Sequence, residues 1–244
     1  MLAGAYVQRG AERFGGAFVR LDAIALVAQR DDLMVEWVSL LNLTGRHAEA
    51  LEALAGHRFH PWEGGEGKSS GQYVLALVEL ARQAVLAGQF EQALTLLERT
   101  REYPLNLGEG KLPGAQENHV HYTRGLALAG LGRAEEALHS LELAASGLSE
   151  PASAMFYNDQ PPEMIFYQGL ARRALGRENE ARAVFQKLVD YGINHMDDTV
   201  RLDYFAVSLP DFLVFNADLS LGNRIHCHFL IALGELGLGR RAEA

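Results

Sequence analysis

Cysteine is nearly absent from this chain. Cys227 stands alone among 244 residues, which excludes an internal disulfide framework and fits a reducing compartment. Lysine is almost as scarce: Lys68, Lys111 and Lys187 are the three copies, and arginine supplies the rest of the 22 basic residues. No apolar run approaches the roughly 18 residues of a membrane span, and the first residues lack the basic-then-apolar order of a secretory signal. A soluble, cytoplasmic protein without a membrane partner is the expectation. Positive charge is also in deficit, 22 basic against 31 acidic residues for a net charge of −9, and that balance opposes non-specific attraction to nucleic acid.

What the chain has in quantity is apolar residues, 48% of the total, enough to bury a large core. They recur with a period. In "YTRGLALAGLGRAEEALHSLELA", Gly125, Leu128, Gly132, Ala137, Leu141 and Ala144 follow one another at offsets of 3, 4, 5, 4 and 3. This is the pattern of a tetratricopeptide helix pair, in which a small residue on the first helix admits the second and a glycine makes the turn. The offsets return from Gly169 through Gly176, Ala181 and Phe185, from Ala81 through Gly88, Ala93 and Leu97, and more loosely from Val38 through Gly45, Ala50 and Leu54. Successive copies are spaced by 43 or 44 residues, whereas an ordinary tetratricopeptide unit is about 34. A further copy starts at Ala232, and the sequence stops within its second helix.

The pattern predicts an all-α, tetratricopeptide-like solenoid of helical hairpins with long loops between repeats. It reads as a single helical-repeat domain over 1–244: a partial repeat to about residue 30, repeats at 31–73, 74–117, 118–161 and 162–224, and a truncated one at 225–244. Because no polar capping helix closes either end, a segment of a longer array is expected.

The surplus residues lie between one pair and the next, in "HPWEGGEGKSSGQ" (60–72), "YPLNLGEGKLPGAQEN" (103–118), "SEPASAMFYNDQPPE" (149–163) and a long stretch at 191–223. GEGK occurs twice, from Gly65 and from Gly108, one period apart. Insertions at equal positions of a solenoid stack on one face, often the binding face. This predicts a polar ligand site gathering Glu63, Glu66, Lys68, Glu109, Lys111, Gln116, Glu117, Asn118, Asn158, Asp159, Gln160, Asp203 and Asp211. The competing reading is that loops are polar because their backbone stays solvated. Against it stand the apolar residues mixed in, Trp62, Leu107, Met155, Phe156 and Tyr157, which pack a loop down.

Sharper motifs fail. "WEGGEGKS" imitates a phosphate loop, yet Trp62 occupies the place of its first glycine, and Glu63 and Glu66 repel phosphate. His226, Cys227 and His228 are adjacent on a helix and point to different faces, so no metal is expected, and no cofactor either. No serine sits in a nucleophile elbow. Paired carboxylates remain, the chemistry that glycoside hydrolysis uses, but sequence supplies no distances to assign an acid or a base.

The strings "HPWEGGEGK", "YPLNLGEGKLPGAQEN", "MFYNDQPPEMIFYQGLA", "DYFAVSLPDFLVF" and "NRIHCHFLIALGELGLG" together resemble the C-terminal tetratricopeptide region of a bacterial family of unknown function. Longer members of that family carry an N-terminal galactose-mutarotase-like β-sandwich. By that resemblance the loop residues are signature positions, and a carbohydrate becomes a candidate ligand. Two functions therefore stand at this point: a repeat module that binds a protein partner or polar small molecule, and part of a carbohydrate-active enzyme using loop carboxylates.

Overall fold

A computed structural model describes residues 27–61, 65–153, 161–199 and 218–240. Among these residues regular structure is helical throughout, with no strand, so the fold class is the all-α solenoid type that the spacing predicts. Four hairpins are present: α1 (Asp31–Leu43) with α2 (His47–Ala55), α3 (Lys68–Leu86) with α4 (Phe90–Glu98), α5 (Asn118–Gly130) with α6 (Ala134–Ala144), and α7 (Pro162–Ala174) with α8 (Glu178–His195). A ninth helix, α9 (Leu219–Leu238), follows. The helices fall into two compact units, Met1–Pro113 and Gly114–Ala244. The first holds two hairpins, α3 packing on both α1 and α2; the second holds the other two with α9, which packs on α7 and α8.

Each hairpin turns on a glycine. Gly45, Gly88, Gly132 and Gly176 have φ of 79°, 73°, 73° and 77°, the left-handed region that L side chains resist. The following amide reaches five residues back to close the helix: Arg46 N to Leu41 O at 2.8 Å, Gln89 N to Ala84 O at 2.8 Å, Arg133 N to Leu128 O at 2.9 Å, and Arg177 N to Arg172 O at 2.8 Å. This is the Schellman arrangement, which satisfies carbonyls the helix end leaves orphaned. Gly239, with φ 82°, and the Arg240 N to Glu235 O bond of 2.9 Å end α9 the same way. Open space surrounds the missing Cβ of Gly132, so backbone strain alone sets the cost of filling it. Gly132→Ala is expected to lower stability by about 1 kcal/mol, measured by urea denaturation. An unchanged midpoint would contradict the strained-turn account.

Inside the turn, the repeated small residues let helices approach. Ala50, Ala93, Ala137 and Ala181 are buried at one repeat position, and Leu54, Leu97, Leu141 and Phe185 at the position four residues on. A Cβ on Gly125 would stand 2.8 Å from Leu141, and one on Gly169 only 2.4 Å from the Phe185 ring. Bulk on the second helix therefore occupies the room that glycine leaves on the first. The same device joins α9 to α8: Gly234 lies against Val189, Gly237 against Phe185, and Gly192 against the Cys227 carbonyl. Cys227 is a buried free thiol in this contact.

Candidate functional site

Both GEGK strings belong to the first unit, where they meet through their backbone and one carboxylate. The second string follows a short 3-10 turn, Leu105–Leu107. Its Glu109 accepts from Gly67 N at 2.8 Å and Ser70 N at 3.1 Å, with Ser69 Oγ also 3.0 Å away. Gly67 is the cap residue of α3, and its own residue type offers no side-chain acceptor. Helix starts leave amides unsatisfied and carry a partial positive charge. Glu109 thus caps α3 from another loop. Ser69 Oγ is equally close to Leu107 O, 3.0 Å, and shares one proton between the two acceptors.

The opposite helix ends follow a rule of their own. Asn106 Nδ2 donates to Leu54 O and His57 O, both at 2.8 Å, at the end of α2. Lys111 Nζ donates to Thr100 O at 3.2 Å, in the turn that prolongs α4. Asn118 Nδ2 donates to Ala144 O and Ser146 O, 2.8 Å each, at the end of α6. Asn223 Nδ2 donates to His195 O at 2.7 Å and Met196 O at 3.3 Å, at the end of α8. Each of these second helices is closed by an amide or ammonium from outside it: Asn106 and Lys111 lie in the loop after α4, Asn118 begins α5, and Asn223 lies near the start of α9. Donors at a helix C-terminus satisfy stranded carbonyls, and a cation adds a favourable interaction with the dipole.

Of the residues expected to hold a polar ligand, Glu109, Lys111 and Asn118 are thus engaged with backbone. Glu66 is exposed, while Lys68, Gln116 and Glu117 are half-buried. Gln116 points its Oε1 toward Gly147, 3.4 Å from where a Cβ would stand. Glu63, Asn158, Asp159, Gln160, Asp203 and Asp211 lie outside the described residues. Asn106, Ser69 and Asn223 escaped the sequence reading, although the first two flank the GEGK strings and the third lies near the start of α9.

A second polar cluster had no sequence signal. A cavity of about 750 Å³ opens between the start of α1 and the end of α2, lined in part by Arg30, Asp31, His57, Arg58 and His60. Asp31 Oδ1 lies 2.6 Å from His57 Nε2, and Oδ2 accepts from His60 N at 2.8 Å with His60 Nδ1 at 3.3 Å. Burial pushes the Asp31 carboxyl up, but the hydrogen bonds from His57 and His60 outweigh it and hold the group below its ordinary range. The network ties the segment after α2 to the first turn of α1. Among the described residues no group of three or more His, Cys, Asp or Glu has metal-ligating geometry.

In the second unit the half-buried His119 lies beside Tyr167, ring centroids 6.0 Å apart, and its Nδ1 is sealed from solvent with no hydrogen-bond partner among the described residues. Burial, with a smaller effect of His121, pushes its pKa down to about 4. A histidine depressed in the fold stays neutral there while the unfolded chain binds a proton, so stability falls as pH drops from about 6.5 toward 4. The loss is expected to approach 3 kcal/mol at most. Urea denaturation at pH 7 and pH 4.5 measures it, and His119→Asn should flatten the difference. Equal pH dependence in both proteins would remove His119 as the cause.

No solved structure matches this chain. The model of one protein family does, over residues 16–197: the N-terminal domain of the ESX-1 secretion system protein EccA1, of the type VII secretion system. That match supports a helical-repeat family; the mutarotase-like part of the resemblance draws no support from it. Three-quarters of the sequence, including all four hairpins, falls within the match, and the chain belongs to the family of the EccA1 N-terminal domain.

Proposed function

We propose that this chain is a protein-docking scaffold of a type VII secretion apparatus. The observation that carries it is the family match laid over tandem helical hairpins, an architecture whose repeated surfaces serve chiefly to bind other proteins. A charge of −9 favours a partner with a basic face over nucleic acid or anionic lipid. None of the described helices is long and apolar enough to cross a membrane.

The loop edge has a supporting part in this reading. Glu109, Lys111 and Asn118 hold helix ends, and exposed Glu66 remains to meet a partner's basic group. Carbohydrate chemistry draws no support, because Glu109 spends its oxygens on backbone amides and a hydroxyl and is no acid or base waiting for a sugar.

The test is made in cells that carry the secretion system. Photo-crosslinkers placed on exposed positions of the hairpins should trap a component or substrate of the apparatus, and deleting the domain should reduce export. Unimpaired export together with crosslinks to no such protein would defeat the proposal.

A further inference from the structure

The cavity between α1 and α2 is walled by two short stretches of chain. All of its lining residues fall within 28–32, where α1 starts, and 56–61, which follow α2. Its volume of about 750 Å³ lies in the range of small-molecule sites, roughly 300 to 1,000 Å³. Docking of a protein on the hairpins makes no use of it.

The second wall is fixed by the loop that carries the second GEGK string. Asn106 Nδ2 donates to Leu54 O and His57 O, and Phe59 N donates to Asn106 O at 2.8 Å. Phe59 is itself buried, with its ring edge-on to His57 and the centroids 4.5 Å apart. Gly108 comes so near that a Cβ there would stand 2.8 Å from Phe59 O. His57, Arg58 and His60 therefore project from a backbone that a ligand does not have to order, which lowers the cost of binding.

The groups left without a partner point to the ligand. Asp32 is taken by Arg30 through two bonds of 3.0 Å and 2.6 Å. Asp31, whose pKa lies below its ordinary value, is a carboxylate and only accepts, with His57 Nε2, His60 N and His60 Nδ1 around it. Both carboxylates are thus matched within the chain. Arg58 lines the cavity, is exposed, and forms no ion pair among the described residues. The His57 side chain is 9% exposed and that of His60 76%, and the ring nitrogen that each turns away from Asp31 has no hydrogen bond among the described residues. An imidazole held by a carboxylate at one nitrogen is more basic at the other, and once protonated it donates there. One permanent cation and two such rings call for a group that only accepts and carries negative charge. The net charge of −9 is screened within about 10 Å and does not decide contacts made at hydrogen-bond distance.

We propose that this cavity binds a small organic molecule through an oxyanion, phosphate or carboxylate, held by Arg58, His57 and His60. Asp31 stands behind both rings as their counter-ion and is a positioning residue.

The experiment titrates the full chain calorimetrically with phenyl phosphate, benzoate and inorganic phosphate, in a buffer free of other oxyanions. Saturable binding of phenyl phosphate or benzoate is expected, and the tighter of the two identifies the oxyanion. Inorganic phosphate should bind more weakly, because it leaves most of the cavity unfilled. Arg58→Gln should weaken the tighter organic ligand about tenfold or more, and His60→Gln about threefold or more. Arg182→Gln, on exposed α8 surface in the second unit, should leave it unchanged. Arg58 and His60 are exposed, so both variants should fold, and circular-dichroism melting shows whether they do. Undiminished binding to a folded Arg58→Gln chain overturns the proposal, as does the absence of saturable binding by either organic anion at about 10 mM. Equal weakening by Arg182→Gln also overturns it, because the attraction is then general charge. Inorganic phosphate binding as tightly as the organic ligands would leave a bare ion site and overturn the organic ligand. None of these outcomes alters the crosslinks that test protein docking.

Discussion

Phe185→Ala is expected to lower the stability of the second unit by about 3 to 5 kcal/mol. The ring is fully buried and is the piece on which three elements close. Gly169 of α7 lies against one side and Gly237 of α9 against another, each so near that an added Cβ would stand 2.4 Å and 2.2 Å from ring carbons, while the Arg173 guanidinium covers it at 5.0 Å. Truncation leaves a cavity that glycine backbones have no side chains to fill. The converse change tests the same fit: Gly169→Ala forces a methyl into the ring and should cost about 1 to 3 kcal/mol, and pairing it with Phe185→Leu should recover part of that. Both tryptophans, Trp37 and Trp62, belong to the first unit, so their fluorescence is blind to this change. Amide hydrogen exchange along α7, α8 and α9 is the measurement. If the double variant is no more stable than the sum of the two single losses predicts, the glycine–ring fit is not what couples these helices.

The hairpins were legible because they depend on spacing along one chain. Gly125 and Leu141, or Gly169 and Phe185, sit sixteen residues apart, a fixed distance for two helices joined by a glycine turn, so small and bulky residues at that interval announce the contact. Gly132 and its equivalents announce the turn because a left-handed residue is costly for any other side chain. The break between Pro113 and Gly114 has no such signature, since the 44-residue interval continues across it. Of the loop residues, Glu109, Lys111 and Asn118 bind backbone at helix ends, a role the sequence does not announce. Sequence shows that Glu109 and Lys111 lie in a polar loop; it does not show that one oxygen reaches Gly67 forty-two residues away. The Asp31, His57 and His60 network left no trace at all, because its members are ordinary residues brought together only by the return of α2 beside the start of α1.

Glu109→Ala should destabilise the first unit by about 2 to 4 kcal/mol, the sum expected for charge-assisted bonds at a helix start when the buried donors find no replacement. Glu109→Gln keeps an acceptor oxygen and should lose about half as much, because the remaining amide oxygen can serve one donor while the charge opposite the dipole is gone. Urea denaturation followed by Trp37 fluorescence reads this unit directly, and hydrogen exchange at Gly67 and Ser70 should quicken before the rest of α3 opens. Lys111→Met is the matched comparison. It removes one ammonium from the Thr100 carbonyl at 3.2 Å, a half-exposed contact worth roughly 0.5 to 1 kcal/mol. The order Ala, then Gln, then the lysine variant follows from the helix dipole: Glu109 faces the positive end of α3 and Lys111 the negative end beyond α4. A loop kept for a ligand would give the opposite result, with the substitutions leaving the unliganded protein as stable as before. Equal stability of wild type and Glu109→Ala would therefore reject the capping role and return this carboxylate to the candidates for binding a partner.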